Sequence, residues 1–196
     1  MAKIVDKEQK KQDIALGCKE LILEKGLQNL TVSQMAEAAG IGKGTVYEYF
    51  RSKEEIVFEL ARVLIQKHIS ELKQSVETKV TTREKIKAFS SFYYEKNAYE
   101  LREVYKQFIA LALLHPKTEI LEFNAKSIEQ YFIWFVSILE EGVTKKELKE
   151  EILSLSKGLF SVGDGFFIQS CITDTLVDLK EKQDCYIDAI FDMMEI

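Results

Sequence analysis

A chain of 196 residues with 46% apolar side chains can bury the core of one domain or two small ones, which excludes a disordered chain. A net charge of −5 excludes a broad basic field for nucleic acid, but the average hides an asymmetry. Met1 to Lys53 carries nine Lys or Arg against seven Asp or Glu, giving +2 and leaving −7 for the remainder. With one proline, nine glycines and apolar residues recurring at three and four, the chain is expected to be all-α. The N-terminal MAKIVDKEQKKQD lacks the apolar core of a signal peptide, and no run approaches the ~20 apolar residues of a membrane span, so a cytoplasmic protein is expected. Three cysteines without a CxxC pair fit a reducing compartment.

The first helix is predicted from Asp6 to Lys25, with Ile14, Cys18, Leu21 and Ile22 on one face and Gly26 as its stop. Lys3, Lys7, Lys10 and Lys11 precede or open it, where they can follow a phosphate backbone or form a solvated end. Cys18 falls on the apolar face and reads as core.

The stretch Thr31 to Lys53 then reads as two short helices around a glycine turn. Thr31 or Ser33 caps the first, and Glu37 can assist. Small Ala36 and Ala39 allow close approach of another helix. Gly40 supplies the left-handed residue that ends the first helix, and Ile41 plugs the corner. The second helix starts near Gly42, with Val46 and Phe50 inward and Lys43, Thr45, Tyr47 and Tyr49 among its polar and aromatic side chains.

The pattern T-V-x-x-M-A-x-A-A-G-I-x-K-G-T-V-Y-x-Y-F-x-S-K-E-E-I resembles the tetracycline-repressor (TetR) family of bacterial transcription regulators over roughly a quarter of the chain. The resemblance implies that Thr31, Tyr47, Tyr49 and Lys53 contact DNA phosphates. Gly42 departs from the family, where a serine is common, and offers only its amide. From the residues themselves, Lys43 at the exposed start of the second helix suits donation to guanine O6 and N7. Gly44 and Thr45 permit close approach, and Thr45 can touch a phosphate or a thymine methyl.

Ser52 is a natural cap, with Glu55 at the capping-box position, for a long helix running to about Ser75. Its predicted buried stripe is Ile56, Leu60, Val63, Leu64 and Ile65, and it is the expected lever between reader and remainder. Lys79 to Thr82 links to a helix capped by Thr82 that carries Ile86, Phe89, Ser90 and Tyr93 on one stripe. Further helices are predicted from Glu100 to Leu114, stopped by Pro116, and from Thr118 to Glu141, stopped by Gly142. The charged run from Thr144 to Glu151 is a surface connection.

Ile152 to Ile172 is apolar all round, and Gly158, Gly163 and Gly165 permit close helix approach. With the last helix, Leu179 to Ile196, it suggests a four-helix dimer interface using Phe160, Gly163, Phe166, Ile187, Ile190, Phe191 and Met194. The family resemblance implies the same arrangement. Phe89, Phe92, Tyr93, Tyr105, Phe108, Tyr131, Phe135 and Phe167 are candidates to line a ligand pocket, although the same spacing also serves ordinary core.

Nothing in the sequence calls for a cofactor. His68 and His115 lie outside any metal-ligand spacing, no nucleophile elbow or phosphate loop occurs, and an enzyme is not expected. The expected organisation is a helix-turn-helix domain over 1–53, a connecting helix over 54–78, and a ligand-binding and dimerisation domain over 79–196. The expected function is a homodimeric regulator, a repressor released from a palindromic double-stranded operator by a small apolar or aromatic effector, with no membrane partner. A constitutive DNA binder for chromosome organisation or division control, without an effector, is the alternative.

Overall fold

The computed structural model describes residues 6–173 and 178–196, so Lys3 lies outside the described residues. The fold is all-α. Its ten helices among the described residues are α1 Lys7–Gly17, α2 Lys19–Lys25, α3 Val32–Ala38, α4 Lys43–Tyr49, α5 Lys53–Glu77, α6 Thr82–Phe89, α7 Tyr99–Leu114, α8 Thr118–Thr144, α9 Ile152–Thr173 and α10 Leu179–Met194. The chain forms two compact units, Met1–His68 with Glu103–Lys117, and Ile69–Arg102 with Thr118–Ile196. Both α5 and α7 therefore contribute residues to each unit.

In the first unit, Asp6 caps α1 through Oδ1, which accepts from the Glu8 amide at 3.0 Å. The single helix expected from Asp6 to Lys25 arrives as two, with Cys18 at the joint (φ −87°, ψ −7°). Close packing accompanies that joint. A Cβ on Gly17 would stand 3.0 Å from Ala39 Cα, and Cys18 Sγ donates to the Met35 carbonyl at 3.3 Å. Burial pushes the Cys18 thiol up to about 11, so the group is a neutral core residue.

The second unit packs α6, α8, α9 and α10 around Ile86, Phe89, Phe135, Leu139, Ile152 and Phe191. Each such side chain contributes about 1.5–3 kcal/mol by leaving water. Two expected helix boundaries move, for packing reasons. Thr81 is the N-cap of α6, in a capping box with Glu84, and Thr82 is instead buried in the first turn. Gly142 does not stop α8, which continues to Thr144. Its missing side chain makes room: a Cβ there would lie 2.5 Å from Thr82 Oγ1 and 3.0 Å from Leu148 Cδ1. The charged connection after α8 is pinned to the C-terminus, with the Lys149 amide donating to the Met194 carbonyl at 2.8 Å and a Leu148–Glu195 bridge. Arg83 on α6 clasps the same end, donating to Glu195 Oε1 at 2.8 Å and Asp192 Oδ1 at 2.7 Å.

Glu147 completes this corner by accepting from both the amide (2.8 Å) and the hydroxyl (2.7 Å) of Thr82. Those two bonds hold its carboxyl below the usual range. A carboxylate with a depressed folded pKa stabilises above its unfolded value near 4.5, and loses that stabilisation as pH falls through the folded one. Glu147→Gln is therefore expected to cost about 1 kcal/mol at pH 7. In urea unfolding followed by circular dichroism, the gap from wild type should shrink toward pH 3. A gap that persists there would show that charge on Glu147 is not its source.

Candidate nucleic-acid interface and apolar cavity

Thr31 Oγ1 accepts from the Gln34 amide at 3.3 Å while Gln34 Oε1 accepts from the Thr31 amide at 2.9 Å, so the partner in this capping box is Gln34 rather than Glu37. After α3, Gly40 adopts φ +66°, and the amides of Gly40 and Ile41 close back on the carbonyls of Glu37 and Ala36, both at 3.0 Å. Gly42 precedes α4 with no side chain to cap it. Val46 and Phe50 anchor α4 in the first unit at 1% and 3% exposure. That anchoring turns Lys43, Gly44 and Tyr47 to solvent and leaves Thr45 and Tyr49 half-buried; Thr31 is exposed as well.

Lys53, which the resemblance assigns to a DNA phosphate, holds a turn of its own unit in this structure. Its Nζ donates to the carbonyls of Leu27 (2.9 Å), Gln28 (3.1 Å) and Leu30 (2.9 Å), the turn that leads into α3. An ammonium has three donors, and all three are accounted for inside the fold. Gln107 of α7 holds the same turn from another side, with Oε1 accepting from the Leu27 amide at 3.0 Å and Nε2 donating to the Ile22 carbonyl at 3.2 Å. The capping contact between residues 80 positions apart has no local signature in sequence.

The aromatic residues proposed as one pocket lining separate into two groups. Phe108 and Tyr105 belong to the first unit, where Phe108 stacks on Phe58 at 5.5 Å. Phe89, Tyr93 and Phe135 line a cavity of about 20 Å³ in the second unit, together with Ile86, Phe160 and Gln183. Tyr131 and Phe167 border that group, in ring contact with Phe89 at 6.3 Å and Tyr93 at 5.7 Å respectively. The Tyr93 hydroxyl donates to Asp164 Oδ1 at 2.9 Å, and its ring lies so close to α9 that a Cβ on Gly163 would fall 2.5 Å from Cε2. Sequence reasoning missed Gln183, although it interrupts the apolar spacing Leu179, Ile187 and Phe191 on α10.

The proposed dimer residues also divide. Gly163, Ile187 and Phe191 are enclosed by the chain's own core and have no surface to offer another copy. Phe160, Phe166, Ile190 and Met194 are half-buried, with Phe166 edge-on to Tyr186 at 6.3 Å. The open side of α9 instead carries Leu155, Gly158, Gly165 and Ile168, and that of α10 carries Cys185, Ala189 and Met193. Among the described residues, no three His, Cys, Asp or Glu side chains gather to hold a metal ion, and no helix is long and apolar enough to cross a membrane.

Residues 17–60 match the family described as bacterial regulatory proteins, tetR family. The chain is 29% identical over 133 residues to the fatty acid metabolism regulator protein of Bacillus subtilis (strain 168), covering 67% of this chain and 66% of that one. It is 27% identical over 134 residues to the HTH-type transcriptional repressor KstR2 of Mycolicibacterium smegmatis, covering 67% and 64%. The chain thus spans just under two thirds of the length of these relatives. A TetR-family transcriptional regulator from Cytophaga hutchinsonii superposes with a TM-score of 0.79 over 99% of this chain and 98% of that one, at 16% identity, a likeness of fold alone.

The Lys53 contacts make a stability prediction. Lys53→Met keeps the stem but removes the ammonium from three carbonyls, of which Leu27 keeps the Leu30 amide, and is expected to cost about 1–3 kcal/mol. Chemical denaturation monitored by helical circular dichroism measures it. An unchanged midpoint would mean that the three bonds contribute nothing net.

Proposed function

The chain belongs to the TetR family of bacterial regulatory proteins, and from that premise we propose that it is a homodimeric repressor released from a palindromic operator by a small, largely apolar effector. The observation that carries this reading is the outward face of α4, where Lys43, Gly44 and Tyr47 stand in solvent on a helix anchored by Val46 and Phe50. A lysine there suits guanine in the major groove, and Gly44 removes the side chain that would hold the helix off the bases. Thr31, Thr45, Tyr47 and Tyr49 supply hydroxyls for phosphates, and Gly42 an amide. Lys53 stays with the carbonyls it already holds and acts by fixing the approach to α3.

A first segment with an excess of only +2 gives one copy a weak hold on DNA. Two copies, with readers about 34–36 Å apart or a multiple of that, would share the task on a palindrome. The open face of α9 and α10, through Leu155, Gly158, Gly165, Ile168, Ala189 and Met193, is the surface we assign to that pairing. The aromatic cavity of the second unit and the name of the fatty acid metabolism regulator from Bacillus subtilis support an apolar effector. The name of KstR2 supports repression. Effector and operator then oppose each other through reciprocal differential affinity, with α5 as the connecting element. The regulator is assigned to the cytoplasm and needs no catalytic group. A constitutive binder is the second reading, favoured by the small size of the cavity.

Lys43→Ala is expected to weaken operator binding about tenfold more than binding to random DNA, measured by fluorescence anisotropy at fixed salt. Equal losses on both would sink the base-reading assignment. Gly165→Lys, at a position where an added Cβ meets nothing within 4 Å, should leave helical content intact yet shift sedimentation from dimer toward monomer. A variant that remains fully dimeric would remove this face from the interface.

A further inference from the structure

The cavity of the second unit contains a polar group that its own packing does not explain. Leu179, Gln183, Ile187 and Phe191 recur every four residues on the buried stripe of α10, at 1%, 2%, 3% and 0% exposure. Three are apolar, as a core stripe requires, and the fourth is an amide. Neither Nε2 nor Oε1 of Gln183 has a hydrogen-bond partner among the described residues. Buried polar groups are almost always paired, because an unpaired one forfeits its bonds to water with nothing in return.

The surroundings specify what would pair it. The two cavity hydroxyls have spent their protons, Ser90 on the Ile86 carbonyl at 3.1 Å and Tyr93 on Asp164 at 2.9 Å. Gln183 faces the cavity with two N–H donors and a carbonyl acceptor to offer. No Lys, Arg or His is among the lining residues, so nothing there compensates the desolvation of an anion. The volume of about 20 Å³ accepts a group the size of one water. The apolar body of a ligand needs the rings of Phe89 and Phe160, 6.3 Å apart, to turn aside.

We infer that Gln183 is the polar anchor of the effector cavity, and that it selects an apolar ligand headed by a neutral group able both to donate and to accept a hydrogen bond, such as a hydroxyl, over a carboxylate. This rests on the reading of the second unit as an effector domain. It goes beyond that reading by naming the recognising residue and the protonation class of the ligand head.

The chain carries its own reporter. Trp134 is the single tryptophan, and its ring lies 5.0 Å from that of Phe89. Titration of the full chain at pH 8 with 1-decanol and with decanoate, read by Trp134 fluorescence, should show saturable decanol binding at least about tenfold tighter than decanoate. Gln183→Leu should weaken decanol about tenfold or more, and should raise the thermal midpoint of the unliganded chain by removing an unpaired buried amide. Gln183→Met, of similar length, should behave alike and keeps the test open if the branched side chain packs poorly. Unaltered decanol affinity in both variants, tighter binding of decanoate, no saturable response to decanol, or a lowered midpoint in both variants would each overturn the assignment. Release of an operator selected from random DNA separates the two readings. Decanol bound through Gln183 without releasing DNA defeats the effector role and leaves the anchor standing. Release by decanol undiminished in Gln183→Leu defeats the anchor alone.

Discussion

The ammonium of Lys53, held by the carbonyls of Leu27, Gln28 and Leu30, ties the first residue of α5 to the turn that delivers the chain into α3. The Leu27 carbonyl also accepts from the Leu30 amide at 3.3 Å, closing a single short turn, and the chain bends at Gly26 with φ +71° and again at Leu30, so no longer helix forms there. A single cation gathers all three and fixes the angle at which α3 begins. The Thr31–Gln34 capping box then sets the first turn of α3, Gly40 sets its last, and Val46 and Phe50 set the rotation of α4. The exposed face of α4 is therefore the outcome of a series of local constraints that starts from one side chain. Gln107 reinforces the start from a distant part of the sequence.

The second unit is organised by close approach. Gly142 lets Thr82 and Leu148 come against α8, and Gly163 lets the Tyr93 ring lie on α9. Each glycine removes a Cβ where another element must pass, and neither has the left-handed conformation that ends a helix. The tight packing leaves a small cavity among the aromatic rings, and the amide of Gln183 opens onto it. A core that tolerates an unpaired amide has given up stability at that point, as is common where a site must recognise something other than itself.

Periodicity was sufficient for the helices and for most of their inward faces. Ile14, Cys18, Val46, Phe50, Ile56 and Leu60 are buried as their spacing requires, because a helical stripe of apolar residues has to be covered by something. The same spacing cannot say what covers it. Tyr105 and Phe108 read as equal candidates with Phe89 and Phe135, yet they belong to the other unit. Likewise Gly163, Ile187 and Phe191 share the apolar character of a pairing surface but are consumed by the chain's own core. The break at Cys18, the continuation of α8 through Gly142 and the engagement of Thr82 by Glu147 each turn on a neighbour far away in sequence.

The sequence by itself determined an all-α chain, a helix-turn-helix with its capping threonine and turn glycine, and a dense motif that resembles one family of regulators. These are properties of short spans, fixed by backbone conformation and by hydrogen bonds across three or four residues. Only the tertiary structure decided that Lys53 is committed to three carbonyls, that the aromatic residues divide between two units, and that Gln183 is buried without a partner among the described residues. Those outcomes depend on which surfaces meet, and a helical period records that a face is covered without recording by what.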